Sequence, residues 1–134
     1  MENRNQRQFN RINYEKEAVV EFADEEYKGC KIKNLSLSGI FIAGNFKPSQ
    51  NKKCYISFVR DIGELNISFI EVLGEVVREN SDGIGIKITS MHFDHYRRLV
   101  TELINNAEEP MIILSEIPKS CPYTITDEKL SVFQ

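Results

Sequence analysis

Tryptophan is missing from this 134-residue chain, and cysteine is scarce: Cys30, Cys54 and Cys121 are widely separated and form no CxxC pair. So odd and scattered a set argues against a disulfide framework and against a structural zinc site. It leaves three reduced thiols, with Cys30 and Cys54 packed in strand-like runs. Long apolar runs are absent as well. The longest, such as Met111–Leu114, fall far short of a membrane span, and Met1–Arg11 lacks the apolar stretch of a secretory signal. The expectation is a cytoplasmic protein without membrane insertion. No nucleophile elbow, HExxH, P-loop or dinucleotide-binding fingerprint occurs, so no catalytic residue is assigned and an enzyme is not expected. His92, Asp94 and His95 lie together, but a histidine pair with one carboxylate and no further ligand nearby in sequence does not make a metal site.

Hydrophobic residues make up 41% and charged residues 28% of the chain, ordinary values for a single soluble domain with its own core. The net charge of −3 argues against a broad polyanion-binding surface. Charge is nonetheless uneven. Arg4, Arg7 and Arg11 face only Glu2 in the first eleven residues, a net +2, whereas residues 108–134 carry −3. A basic head on a mildly acidic protein suits a local anion site.

The sequence predicts a mainly β fold. Residues 1–16 are polar, without sustained periodicity, and read as a flexible N-terminal arm held down by little apolar surface. Strand-like runs follow at Ala18–Ala23, Tyr27–Leu35, Ile40–Ala43, Cys54–Val59, Asn66–Glu79 (bent near Gly74) and around Ile84, Ile86 and Ile88. In the second run, alternation sets Cys30, Ile32 and Asn34 on one face and Lys31, Lys33 and Leu35 on the other. Turn signals separate the runs, Ser81-Asp-Gly83 being a good hairpin connection. Six short strands in so small a domain escape exposed edges by closing into a six-stranded antiparallel barrel. From Met91 to Ala107 one helix follows, with Tyr96, Leu99, Val100, Leu103 and Ala107 on one face, Ser90 as N-cap and Glu102 as an i, i+4 partner of Arg98. Residues 17–107 thus form the barrel and its helix. Residues 108–134, interrupted by Pro110, Pro118 and Pro122, form a C-terminal extension of unassigned role, in which Met111–Leu114 reads as a short strand. A strand there leaves room for a homodimer.

Two spacings carry the chemistry. Arg7-Gln-Phe-Asn-Arg11 sets two guanidinium forks four residues apart, able to clamp a phosphate or the O6/N7 edge of guanine. Asn34-Leu-Ser-Leu-Ser-Gly39 lies at a strand junction, with Asn34 and Ser36 at the same strand parity and Gly39 permitting positive φ and a close backbone approach. A guanidinium clamp facing a small polar platform fits a phosphate-bearing, guanine-like ligand.

In order and spacing these motifs resemble the PilZ domain, a bacterial receptor for the second messenger cyclic di-GMP, whose pattern is RxxxR followed by D/NxSxxG. The likeness extends through Gly74-Glu-Val-Val-Arg78, Gly83-Ile-Gly-Ile-Lys-Ile88 and the closing helix, covering about residues 7–106. It implies a PilZ-like barrel in which Arg7 and Arg11 grip phosphates and guanine edges, Asn34 and Ser36 hold a guanine, and Gly39 keeps the turn open. Arg4, Gln6 and Ser38 are candidates for additional contacts. No cofactor is implied beyond the ligand, cyclic di-GMP. The implied function is a single-domain receptor that orders its arginine arm around the dinucleotide and acts in trans on an unidentified protein partner. The alternative is a nucleotide-independent adaptor of the same fold. A single-strand nucleic-acid binder would expose aromatics on a basic groove; an acidic chain without tryptophan speaks against DNA or RNA.

Overall fold

The computed structural model describes residues 9–47, 52–61, 67–117 and 121–127. Its strands are β1 (Ile12–Asn13), β2 (Glu17–Glu21), β3 (Glu26–Leu35), β4 (Gly39–Ala43), β5 (Lys53–Asp61), β6 (Ile67–Asn80), β7 (Gly83–His92) and β8 (Thr124–Thr126), with helices α1 (Phe93–Asn106) and α2 (Pro110–Glu116) between β7 and β8.

Period-two alternation builds the walls. Ala18 and Val20 in β2, Ile40 and Ile42 in β4, Cys54, Ile56 and Phe58 in β5, and Ile84, Ile86 and Ile88 in β7 all turn inward and are buried. The antiparallel order β3-β2-β5-β6-β7-β4 returns to β3 through a β3–β4 pairing, which closes a six-stranded barrel. Closure pairs the backbone groups that an open sheet of this size would leave at its edges.

Four register shifts interrupt the described ladders, one of them between Ala18 and Val20 of β2 opposite β3, and the other three redirect side chains discussed below. Between Ile32 and Asn34, β3 gains one residue against β4, so that Ile32 and Leu35 both face the core. The alternation expected from the sequence put Leu35 with the lysines and Asn34 with Ile32; the extra residue reverses both. A second bulge lets β6 advance two residues, Val76 to Arg78, while β7 moves one. Near Gly74, where the sequence suggested a bend, the extra residue belongs to β7, which brings Met91 into the core behind Ile88.

The α1 helix packs on β6, β7 and β1 through Leu99 and Leu103, with Tyr96, Val100 and Ala107 partly buried beside them. Its N-cap is His92, not Ser90: Nδ1 of His92 accepts from the Asp94 N–H at 3.0 Å, and Nε2 lies 2.9 Å from the Asp127 carbonyl. His95, one turn further on, is half-buried and accepts from the Glu71 N–H at 3.1 Å. Glu102 does not partner Arg98 either. It is buried, receives the Tyr14 hydroxyl at 2.5 Å, and has Arg60 at 3.8 Å. Arg98 donates to the Phe69 carbonyl at 2.9 Å.

Both chain ends depart from expectation. Residues 9–16 bury Phe9, Ile12 and Tyr14, and β1 pairs with the end of β3, so apolar surface does hold this part of the arm. The run Met111–Leu114 is helical: Pro110 at the first helical position has a suitable fixed φ and needs no N–H partner there. Four apolar residues carry too short a pattern to separate strand from helix. Ile113 and Glu116, three apart on α2, face inward. The strand of the extension is β8 instead, parallel to Ser90–His92 of this chain's own β7. No helix among the described residues is long and apolar enough to cross a membrane.

Candidate functional site

A cleft of about 620 Å³ opens where the N-terminal segment passes the β3–β4 turn, a size suited to a small-molecule ligand. Arg11, Asn34, Ser36, Ser38 and Gly39 all line it, together with Phe9, Phe41, Val77, Arg78, Gly85, Lys87 and Pro122. Two stretches separated by more than twenty residues thus meet at one place. Arg4, Gln6 and Arg7 lie outside the described residues.

Each side chain is aimed by a local feature. The bulge in β3 turns Asn34 out of the core and toward the cleft. Ser36 is buried; its N–H donates to the Gly39 carbonyl at 2.9 Å, and its hydroxyl oxygen accepts from the N–H groups of Ser38 at 3.2 Å and Gly39 at 3.1 Å. A serine hydroxyl that takes up two turn amides fixes the turn's shape. Ser38 joins the turn to β7, accepting the Ile88 N–H at 2.9 Å.

Gly39 does not use positive φ, which among the described glycines occurs at Gly29, Gly44 and Gly83. Its requirement is space: a Cβ here would stand 2.7 Å from the Ile86 carbonyl oxygen. The Asn-x-Ser-x-x-Gly spacing therefore encodes a bulged strand, a serine-closed turn and a backbone crossing.

Arg78, Phe41 and Phe9 were assigned no site role on sequence grounds. The β6 bulge turns Arg78 outward, where its guanidinium lies 5.8 Å from the Phe41 ring centroid. Across the ladder Arg78 packs beside Gly85, where a Cβ would make only ordinary van der Waals contact with it, at 3.6 Å from Nε. Phe9 is the central residue of Arg7-Gln-Phe-Asn-Arg11 and is buried, while the next N–H, from Asn10, donates to a Glu116 carboxylate oxygen at 2.8 Å. An aromatic set between two arginines in a mostly polar arm was the available signal for Phe9. For Arg78 there was none, because a strict alternation gives no warning of a bulge.

The electrostatics are one-sided. Among the described residues Arg11, Arg78 and Lys87 line the cleft and no carboxylate does, although the chain as a whole carries −3. Three cations with asparagine and serine polar groups, beside the half-buried Phe41 ring and the exposed Val77, can receive a planar base bearing phosphate. Among the described residues no three histidine, cysteine or acidic side chains come together as a metal site.

The model of the PilZ domain matches residues 5–105. No curated protein matches the sequence. Among solved structures, the fold is similar to that of the Bacillus subtilis inhibitor of motility (MotI/DgrA), with a TM-score of 0.57 and 16% identity over 86% of this chain and 53% of that one. The chain thus spans about half the length of that protein. A closed six-stranded barrel, a bulged strand leading into a serine-closed turn, and a family match over most of the sequence agree: this chain belongs to the PilZ domain family, a family of binding domains of the cyclic di-GMP type.

Proposed function

We propose that this protein is a receptor for cyclic di-GMP. The observation that carries the reading is the cleft, lined by no acidic side chain among the described residues, in which Arg11 meets Asn34 and the Ser36–Gly39 turn. Arg11 and Arg7 grip phosphate and the O6/N7 edge of guanine, Asn34 and Ser38 offer polar contacts at the barrel surface, and Ser36 with Gly39 holds the turn in shape. Arg78 and Phe41 extend the site, the guanidinium serving a phosphate or stacking on a base. Arg4 and Gln6 are proposed as further contacts to the same ligand. Closure of the arm over the dinucleotide creates a new surface, and the signal passes in trans to a protein partner.

Calorimetric titration of cyclic di-GMP into the wild type, Arg7→Ala/Arg11→Ala and Arg78→Ala tests this, with GTP and cyclic di-AMP as controls. The expected outcome is micromolar or tighter binding, about −8 kcal/mol. Loss of one charged hydrogen-bond donor costs about 1.5–3 kcal/mol, so Arg78→Ala weakens binding at least about tenfold, and the double variant abolishes it. No heat in the wild type at high ligand overturns the receptor reading in favour of the nucleotide-independent adaptor.

A further inference from the structure

The described arginines occupy two places. Arg11 and Arg78 line the nucleotide cleft. The other three, Arg60, Arg97 and Arg98, line a separate cleft of about 250 Å³ with Asp94 and Thr101. The two clefts share no residue. Three guanidinium groups face two carboxylates, Asp94 in the lining and Glu102 behind Arg60, which still leaves the second cleft cationic.

These arginines are held in place. Arg60 is largely buried, 3.8 Å from the Glu102 carboxylate, and its Nε donates to Ser68 Oγ at 3.4 Å. Arg98 donates to the Phe69 carbonyl at 2.9 Å, and Arg97 lies 5.9 Å from the Phe93 ring centroid. Much of the side-chain entropy that binding would remove is already lost. The two phenylalanines that position them remain in water, Phe69 52% and Phe93 45% exposed. Oriented arginine beside exposed aromatic surface is the composition of protein–protein hot spots. A lone phosphate would use the guanidinium groups and leave both rings solvated.

We propose that this face, the first turns of α1 with the end of β5 and the start of β6, docks a partner protein through a segment that carries carboxylates flanked by apolar side chains. Carboxylates meet Arg97, Arg98 and the accessible edge of Arg60, while apolar neighbours cover Phe69 and Phe93. The inference stands apart from the nucleotide reading, and either can fail alone.

The test is a titration of the ¹⁵N-labelled full chain with a short synthetic peptide alternating leucine and glutamate, followed by amide chemical shifts. The expected result is a set of shifts confined to Phe69 and Phe93–Thr101, absent with the same peptide carrying glutamine for glutamate. Arg97→Glu/Arg98→Glu weakens the interaction at least about tenfold, as reversal of close charge pairs does, and leaves cyclic di-GMP titration as in the wild type. Arg97→Gln, at an exposed position, gives the same direction with less risk to folding. Equal shifts with the glutamine peptide, or the same shifts with inorganic phosphate alone, overturn the proposal. So do concentration-dependent shifts at these amides without peptide, which would assign the face to a second copy of the chain.

Discussion

At the scale of single residues, the polar turn is held by geometry that tolerates little change. Gly39 packs without a Cβ against the Ile86 carbonyl, and the 2.7 Å approach that alanine would impose is against backbone. Relief requires β4 and β7 to separate at a point where they are paired, Ile40 with Ile86. Gly39→Ala is therefore expected to lower unfolding free energy by about 1–3 kcal/mol, the usual range for overpacking, read as a shift in the urea midpoint. An unchanged midpoint would mean the turn yields more easily than its hydrogen bonds suggest. Cys54 shows how burial also sets chemistry: removal from water, with Glu75 nearby, pushes its thiol up to about 12, so it acts as a packed apolar group.

At the scale of elements, α1 is fastened to the barrel by polar groups as well as by Leu99 and Leu103. Tyr14, Glu102 and Arg60 tie the N-terminal segment, the helix and β5 together, and His95 ties the helix to β6. Burial lowers the His95 pKa from its ordinary 6.5; Glu71 opposes that shift and Arg98 adds to it. The folded state therefore holds this imidazole neutral where the unfolded chain would protonate it. Its contribution is fully present above pH 6.5 and is lost as pH falls through the lower folded value. Chemical denaturation across that window should show stability declining toward acid, and His95→Gln should flatten the decline. An equal slope in the variant would remove His95 as its source.

At the scale of the whole molecule, the first described residues meet the C-terminal extension. Phe9 lies in a pocket shared with Leu37, Tyr96, Tyr123 and Glu116, and the Asn10 N–H is bonded to Glu116. The C-terminal extension thus seats the N-terminal segment that carries Arg11, and Pro122 reaches the edge of the cleft beside the Ser36–Gly39 turn. Ile113, almost fully buried, fixes α2 and with it Glu116. Ile113→Asp is expected to cost about 2–5 kcal/mol locally. In hydrogen exchange it should accelerate the Asn10 amide while the central β5 and β6 amides stay protected. Uniform loss of protection would show instead that the extension and the barrel unfold as one unit.

The sequence by itself determined the barrel class, the strand runs, the face of α1 and the two spaced motifs, because alternation, helical periodicity and turn residues are local signals. The tertiary structure decided the rest. Asn34, Leu35 and Arg78 take their faces from bulges that exist only between paired strands. Gly39 is required by a neighbouring strand's carbonyl, and α2 and β8 take their form from the surfaces that receive Ile113 and pair with Ser90–His92. Phe9 is anchored by residues about a hundred positions away along the chain. Short segments lack enough local free energy to choose one conformation alone, so long-range packing selects it for them.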